Sequence, residues 1–296
     1  MTIRNAWLIY NSSLQSEKFL DAAFRLKAAA AKRQIELTLL ANDELLSSTD
    51  GVLIPENLPE EPSFILAADK DILLLRQLEE AGHTVINSSR AVQCCDDKRW
   101  MHAALARAGI RQPKTIFAPM VYKGIGRSSV DYVKKAGRVL GFPLVVKEAF
   151  GSFGRQVYWI RSEEELLSKT EELDDAPHLY QEAIMESYGV DIRLNVVGGR
   201  AVAGMKRTST GDFRANMTLG GSAVPYDWST EEEDLAVTAA RACGAEFAGV
   251  DLFVTAAGPI LCEVNSNPHL RTMEETTGVS VEDKMMTYLS EERSFS

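Results

Sequence analysis

Apolar runs of four to six residues alternate with amphipathic stretches over roughly the first ninety positions of the chain. Trp7-Leu8-Ile9-Tyr10 reads as a buried strand. From about Glu17 to Arg33, Phe19, Ala23, Leu26 and Ala30 recur near the helical period and predict a helix. Ile35–Leu40, Val52–Ile54, Phe64–Ala67 and Val85–Ile86 read as further strands, and Ile72, Leu75 and Leu78 mark a helix that ends before Gly82. Strands alternating with helices predict a doubly wound α/β sheet over residues 1–92. The loop Asn11-Ser12-Ser13 follows the first strand, where such sheets bind ligands, but it has no glycine fingerprint for a dinucleotide. This unit is expected to form part of a substrate cleft and to supply no catalytic residue.

The pattern changes near Cys95. Asp96-Asp97-Lys98 opens a predicted helix running to Ala108 and closed by Gly109, with the acidic pair suited to its N-terminus. Lys98 could reach an anion there, although a solvated lysine is the commoner case. A strand at Lys114–Phe117 and a helix at Ser129–Leu140 precede Gly141-Phe142-Pro143-Leu144-Val145-Val146-Lys147. That apolar strand ends in a lysine and runs into a turn bounded by Gly151 and Gly154. Glycines let backbone N–H groups approach phosphate oxygens, and Lys147 would add a point charge. The spacing is not that of a P-loop, and a hairpin with a strand-edge lysine is the ordinary alternative. His178–Ile184 and Val190–Val197 read as strands around a turn at Gly189, and Gly198-Gly199 turns the chain into Ala201–Arg207. Arg193, Arg207 and Arg214 lie on successive strands and turns and could converge on an anion; charged guards on a sheet edge are the other explanation.

Two more strands, Gly249–Phe253 and Leu261–Asn265, flank a turn at Ala256-Ala257-Gly258-Pro259. Side chains alternate along a strand, so Glu263 and Asn265 share a face, and antiparallel pairing can set Asp251 beside them. Three hard oxygen donors with open positions suit Mg²⁺ shared with substrate phosphates. A polar face on a surface hairpin is the plainer reading.

Composition narrows the classes. A chain of 296 residues is long enough for two or three packed units. A net charge of −10 argues against nonspecific nucleic-acid binding, which needs concentrated Lys and Arg. No stretch has the apolar length of a membrane span, and Met1–Asn5 does not open a signal peptide. The cysteines, Cys94, Cys95, Cys243 and Cys262, have neither zinc spacing nor the pattern of a disulfide framework, so buried free thiols in a reducing cytoplasm are expected. No Ser-His-Asp set is evident.

In order and spacing, the segments from about Ala91 to Val281 resemble the ATP-grasp superfamily, and within it the RimK-like carboxylate–amine ligases. The resemblance implies an N-terminal doubly wound domain followed by a two-lobed ATP-grasp fold of α+β lobes, at residues 93–183 and 184–296. It implies that ATP lies between the lobes. Lys98 and Lys147 would contact the phosphates, and a loop containing Gly151, Ser152 and Gly154 would close over them. Peptide groups of Glu182 and Ala183 would bind adenine, and Asp191 the ribose. Arg214, Ala215 and Asn216 match a segment reaching the nucleotide and the reacting carboxylate. Asp251, Glu263 and Asn265 match metal ligands, with Glu263 bridging two Mg²⁺ ions (Mn²⁺ being an alternative). Arg207 matches a cation at the transferred phosphoryl group, so Arg207 and Arg214 are the expected catalytic residues. The implied reaction forms an acyl phosphate that an amine, such as that of glutamate, then attacks. No nucleic-acid or membrane partner is implied, and a homo-oligomer is compatible with it.

Departures limit the substrate assignment. Gly151–Gln156 looks more like the LysX-type ligases, Gly211–Asn216 more like RimK, and Ser266-Asn267-Pro268-His269-Leu270-Arg271 departs from the commoner run. His269 and Arg271 could line the acceptor site or shape a turn. A silent ATP-binding regulatory module and an ATP-dependent substrate kinase that forms no amide are the competing functions.

Overall fold

Strand β1 (Asn5–Tyr10) is buried along its four inner positions because both faces of its sheet are covered. The computed structural model describes residues 5–293 except 15, 56–57, 59–60, 152–153 and 216–219. β1 pairs in parallel with β2 (Glu36–Ala41) on one side and β5 (Ile65–Ala67) on the other, and β6 (Val85–Ile86) lies outside β5. Trp7, Ile9 and Ile65 meet Leu74, Leu75 and Leu78 of α2 (Ile72–Glu80), whereas Ala6, Leu8 and Leu37 meet Ala23, Leu26 and Ala30 of α1 (Glu17–Lys32). The order β2-β1-β5-β6 makes this the expected doubly wound sheet, with its switch point between β1 and β5. One predicted strand does not join it. Residues near Val52 form β4 (Gly51–Leu53), which among the described residues pairs only with β3 (Leu46–Ser48) in a separate hairpin whose Leu46 and Leu53 are exposed.

The helix expected from Asp96 to Ala108 forms at Lys98–Arg107, and an unexpected one precedes it. Helix α3 (Ser89–Asp96), capped by Ser88, ends at Asp97, whose extended backbone and side chain then cap α4 (Lys98–Arg107) by accepting the Arg99 N–H at 2.9 Å. The cap places Lys98 in the first turn of α4.

A second sheet, all antiparallel, has the order β7 (Thr115–Phe117), β10 (His178–Glu182), β8 (Leu144–Glu148), β9 (Val157–Ile160). Its apolar face, with Val146 and Tyr180, packs on α5 (Asp131–Leu140) and α6 (Glu163–Leu173) through Val133, Ala136 and Leu166. The third sheet, also antiparallel, runs β13 (Ser222–Pro225), β12 (Arg200–Thr208), β11 (Val190–Val197), β14 (Phe247–Thr255), β15 (Gly258–Asn265). Gly258 and Pro259, expected in the turn, already belong to β15, leaving a two-residue turn. Ile192, Leu194, Val196, Val250, Leu252 and Val264 cover α7 (Thr230–Cys243) and Met101 and Leu105 of α4. All four cysteines are free, with Cys94 and Cys262 only partly buried. No helix among the described residues is long and apolar enough to cross a membrane.

Two features join the first sheet to the third. Helices α8 (Arg271–Thr277) and α9 (Val281–Thr287) return against α1, where Arg25 meets Glu282 at 2.6 Å and Lys32 meets Asp283 at 2.8 Å. Buried Asn87, just after β6, donates to the carbonyls of Phe247 (2.8 Å) and Ser266 (2.9 Å) and accepts from the N–H groups of Glu246 (2.9 Å) and Phe247 (3.0 Å). Its carboxamide thereby uses its full capacity of two donors and two acceptors. Asn87→Ala would strand four backbone groups, and we expect it to lower the unfolding free energy by about 3 kcal/mol or more. Urea titration measures this, and an unchanged midpoint would contradict the role given to Asn87.

Candidate functional site

The alternation of β11 sorts its side chains. Ile192, Leu194 and Val196 turn to the helices, so Asp191, Arg193, Asn195 and Val197 turn the other way, into a cavity of about 930 Å³. This face passes from charged to neutral to apolar along one strand. Pairing across the sheet extends it sideways: Asp191 lies opposite Arg207, Arg193 opposite Asp251, and Asp251 opposite Glu263. In the next row Asn195 lies opposite Gly249, and Gly249 opposite Asn265.

The charges form an alternating chain. Arg193 grips Asp251 with both arms of its fork, Nε to Oδ1 at 2.6 Å and a terminal nitrogen to Oδ2 at 2.7 Å. Arg207 grips Asp191 in the same way, at 2.6 and 2.7 Å, and reaches Asp251 Oδ2 at 3.0 Å. Burial alone would raise the Asp251 carboxyl, but Arg193 and Arg207 hold it below the usual carboxylate range. Arg193 and Arg207 thus converge as expected, but on aspartates of their own sheet.

Cations arrive from the facing elements. Lys98 is buried, with Nζ 3.2 Å from the Gly151 carbonyl and 3.5 Å from Glu263 Oε1. Lys147 on β8 is also buried and lines the cavity, and its ammonium makes no hydrogen bond or ion pair among the described residues. Behind these lysines, His102 is held by Gln112 Oε1 at Nδ1 (2.6 Å) and meets the Gln181 amide at Nε2 (3.2 Å). Burial, reinforced by the charge of Lys147, pushes His102 down to about 3, so the ring is neutral and adds no third charge there.

Gly151, with φ of +144°, has the Gln156 side chain where a Cβ would sit, 2.5 Å from Oε1, so the turn accepts no other residue without shifting Gln156. Ser152, Phe153 and Asn216 lie outside the described residues. Gly154 and Ala215 line the cavity.

Several expected contacts meet competition. Arg214 does not join the other arginines. Its guanidinium is tied to Asp212 at 2.9 and 2.7 Å and donates to the carbonyls of Gly154 (2.5 Å) and Val157 (3.3 Å). A partner two residues away captures the fork locally, and the remaining donors hold the glycine turn against the third sheet. Phe213 adds to this latch, its ring 5.0 Å from that of Trp159. The Glu182 N–H, expected at adenine, donates to the Lys114 carbonyl at 3.0 Å, while the Glu182 carboxylate accepts the Lys114 N–H at 2.7 Å. Ala183 lies between the lining residues Glu182 and Ile184. Both oxygens of Asp191, expected at the ribose, are held by Arg207.

The residues expected to hold a metal offer only oxygen donors. No group of three His, Cys, Asp or Glu side chains fit to hold a metal occurs among the described residues. Glu263, partly exposed, and Asn265 are neighbours on one face of β15, and both line the cavity. Two oxygen donors with room for water and phosphate fit Mg²⁺, which keeps part of its hydration shell. Asp251 stands beside them, its oxygens already shared with two guanidinium groups. Sequence reasoning named Arg193 but missed Asn87, Asn195 and Asp69; the Asp191-x-Arg193-x-Asn195 alternation could have marked Asn195. His269 and Arg271 also line the cavity, and Arg271 pairs with Glu275 (2.8 Å) and Asp21 (3.7 Å).

Residues 95–289 match the family model described as a RimK-like ATP-grasp domain. Over 272 residues the chain is 31% identical to beta-citrylglutamate synthase B of Danio rerio, covering 86% of this chain and 66% of that protein. It is 38% identical over 219 residues to a probable alpha-L-glutamate ligase of Picosynechococcus sp., covering 73% of this chain and 70% of the relative. The fold matches the ATP-grasp ligase PsnB, solved with a phosphomimetic variant of minimal precursor, Mg and ADP, with a TM-score of 0.70, 17% identity and 98% of each chain covered.

Neutral His102 has a consequence for stability. Its folded pKa lies below the ordinary value near 6.5, so below that pH the unfolded chain binds a proton that the folded chain does not. His102 therefore costs stability as pH falls from about 6.5 toward 3, by up to about 1.4 kcal/mol per pH unit. Urea unfolding at pH 7 and pH 5.5 should show a smaller loss in His102→Gln than in the unsubstituted protein; equal losses would contradict a neutral His102.

Proposed function

The chain belongs to the RimK-like ATP-grasp ligases, and from that premise we propose that it joins a carboxylate to an amine, that of an amino acid such as glutamate, through an acyl phosphate, releasing ADP and phosphate. The observation that carries this reading is the convergence of Lys98, Lys147, Arg193 and Arg207 with Glu263 and Asn265 on one cavity. Cations gathered at one end suit a polyphosphate and a carboxylate together, because phosphoryl transfer needs positioning and charge neutralisation more than covalent help from the protein.

On this reading, residues 93–183 and 184–296 are the two lobes around the nucleotide, and residues 1–92 close the cleft. Lys147, unpaired among the described residues, takes the nucleotide phosphates, with Lys98 and the Gly151 turn beside it. Glu263 and Asn265 hold magnesium, with Asp251 adjoining; when bound, the ion would neutralise charge on the phosphates. Arg207 meets the transferred phosphoryl group through the one terminal nitrogen that its bonds to Asp191 and Asp251 leave over. Asp191 and Asp251 orient its fork. Arg214 positions the glycine turn through the Gly154 carbonyl and lies one step back from the reacting atoms. The acyl phosphate forms when the acid's oxygen attacks the γ-phosphorus and ADP leaves. The amine nitrogen then attacks the acyl carbon, phosphate departs with the C–O electron pair, and the nitrogen sheds its proton.

Incubation with ATP, magnesium and a panel of acids, with hydroxylamine in place of the amine, should release ADP and yield a hydroxamate from the acid that fits. ADP release with a phosphorylated product and no hydroxamate would instead mark a substrate kinase. Glu263→Gln should lower kcat roughly 100-fold while leaving the unfolding midpoint in place. Undiminished turnover in that variant would contradict the placement of the metal.

A further inference from the structure

The same cavity reaches the switch point of the parallel sheet, where it is lined by Tyr10 and Asn11 after β1 and by Asp69 after β5. Crevices at the carboxyl ends of strands at such a point are the usual ligand sites of doubly wound sheets. Asp69 is only 6% exposed. Its Oδ1 accepts from Asn11 Nδ2 at 3.0 Å and from the Lys70 N–H at 2.7 Å, but its Oδ2 is buried with no hydrogen-bond partner among the described residues. The nearest cation in sequence, Lys70, is committed to Asp96. Nearby Arg25 and Arg271 are committed to acidic residues of α8, α9 and α1.

A second buried atom in the cavity is in the same condition. Asn195 is 1% exposed, and its Oδ1 has no partner among the described residues. The two residues approach through the Asn265 segment. The Asn267 side chain donates to the Asp69 carbonyl at 3.3 Å, and Asn265 donates to the carbonyl of Gly249, the strand partner of Asn195, at 3.4 Å. Both orphaned atoms are acceptors, so what they lack is a donor. Leaving a carboxylate oxygen buried and unpaired is costly, and a cationic donor removes that cost.

We propose that Asp69 receives the ammonium group of the amine substrate, which makes the crevice at the ends of β1 and β5 the amine subsite. The proposal rests on the ligase reading and adds to it the place and polarity of the second substrate. The cavity is then polarised. Lysines and arginines of the second and third sheets gather the phosphates and the acid, while a carboxylate of the first sheet gathers the amine. Opposite charges sort the two substrates before either reacts and suppress binding of the amine in the acid's place; the ammonium gives up one proton to the Asp69 carboxylate before its nitrogen attacks the acyl carbon.

Hydroxylamine is uncharged at neutral pH and has no need of a carboxylate partner. The test is a competition in which the protein, ATP, magnesium and the acid found above receive hydroxylamine together with a mixture of the common amino acids. Mass spectrometry reads the ratio of amide to hydroxamate. Asp69→Asn should lower that ratio about ten-fold or more, the loss of one charge-assisted hydrogen bond, and Asp69→Glu should restore part of it. An unchanged ratio in Asp69→Asn, or equal loss in both variants, would overturn the proposal. Should Asp69→Asn not fold, the unsubstituted protein supplies the measurement. Propylammonium should compete with the amino acid while 1-butanol, of similar size, should not; equal inhibition by the two, or none, overturns it. If no acid gives ADP release or hydroxamate in the unsubstituted protein, the ligase reading itself falls, and this proposal with it.

Discussion

Three charges buried on one sheet face, Asp251, Arg207 and Asp191, together with the partly buried Arg193, hold the site together, and none of the three could stay there alone. Taking an ion out of water costs several kcal/mol even after relaxation, so each depends on its neighbours for compensation. The chain alternates in sign along its length, and its bonds of 2.6 to 3.0 Å are those of charge-assisted pairs. Its geometry comes from strand register, because Arg193 faces Asp251 and Asp191 faces Arg207 across adjacent strands. A one-residue slip of β11 would turn Ile192 and Leu194 into the cavity and bury the charges against α7. The core on one face therefore enforces the electrostatics on the other.

Once that chain is in place, the rest of the site follows from what surrounds it. Lys98 enters because Asp97 ends one helix and begins the next. Lys147 enters because β8 ends at the mouth of the cavity. The neutral ring of His102 lets both lysines sit close behind the site without a third charge. Asn87 locks the parallel sheet to the start of β14 and the segment after β15, so the crevice of the first sheet opens onto the charged face of the third. Arg214 and Phe213 do the same for the glycine turn of the second sheet.

Much of this was legible in the sequence. The doubly wound sheet showed in its alternation of strand and helix, and part of the polar face of the third sheet showed in the period-two spacing of Glu263 with Asn265. The partners of its charges were not legible. Whether Asp191 and Asp251 stand open to ligands or are gripped by arginines depends on register between strands distant in sequence. For Arg214 the sequence did not show that a local partner, Asp212, takes its fork. The helix opening near Asp97 was legible, but α3 before it was not, because its eight residues carry only a short apolar pattern at Ala91, Val92 and Cys95. Asn87 and Asp69 carried no local pattern; their roles arise only where separate sheets meet.

The central claim is that the acid is activated by phosphorylation within the cationic end of this cavity, and the fate of its oxygen tests it most directly. An acid carrying heavy oxygen at both carboxylate positions should transfer one labelled oxygen to inorganic phosphate for each amide formed. Released phosphate free of label, with the amide formed at the normal rate, would contradict the account.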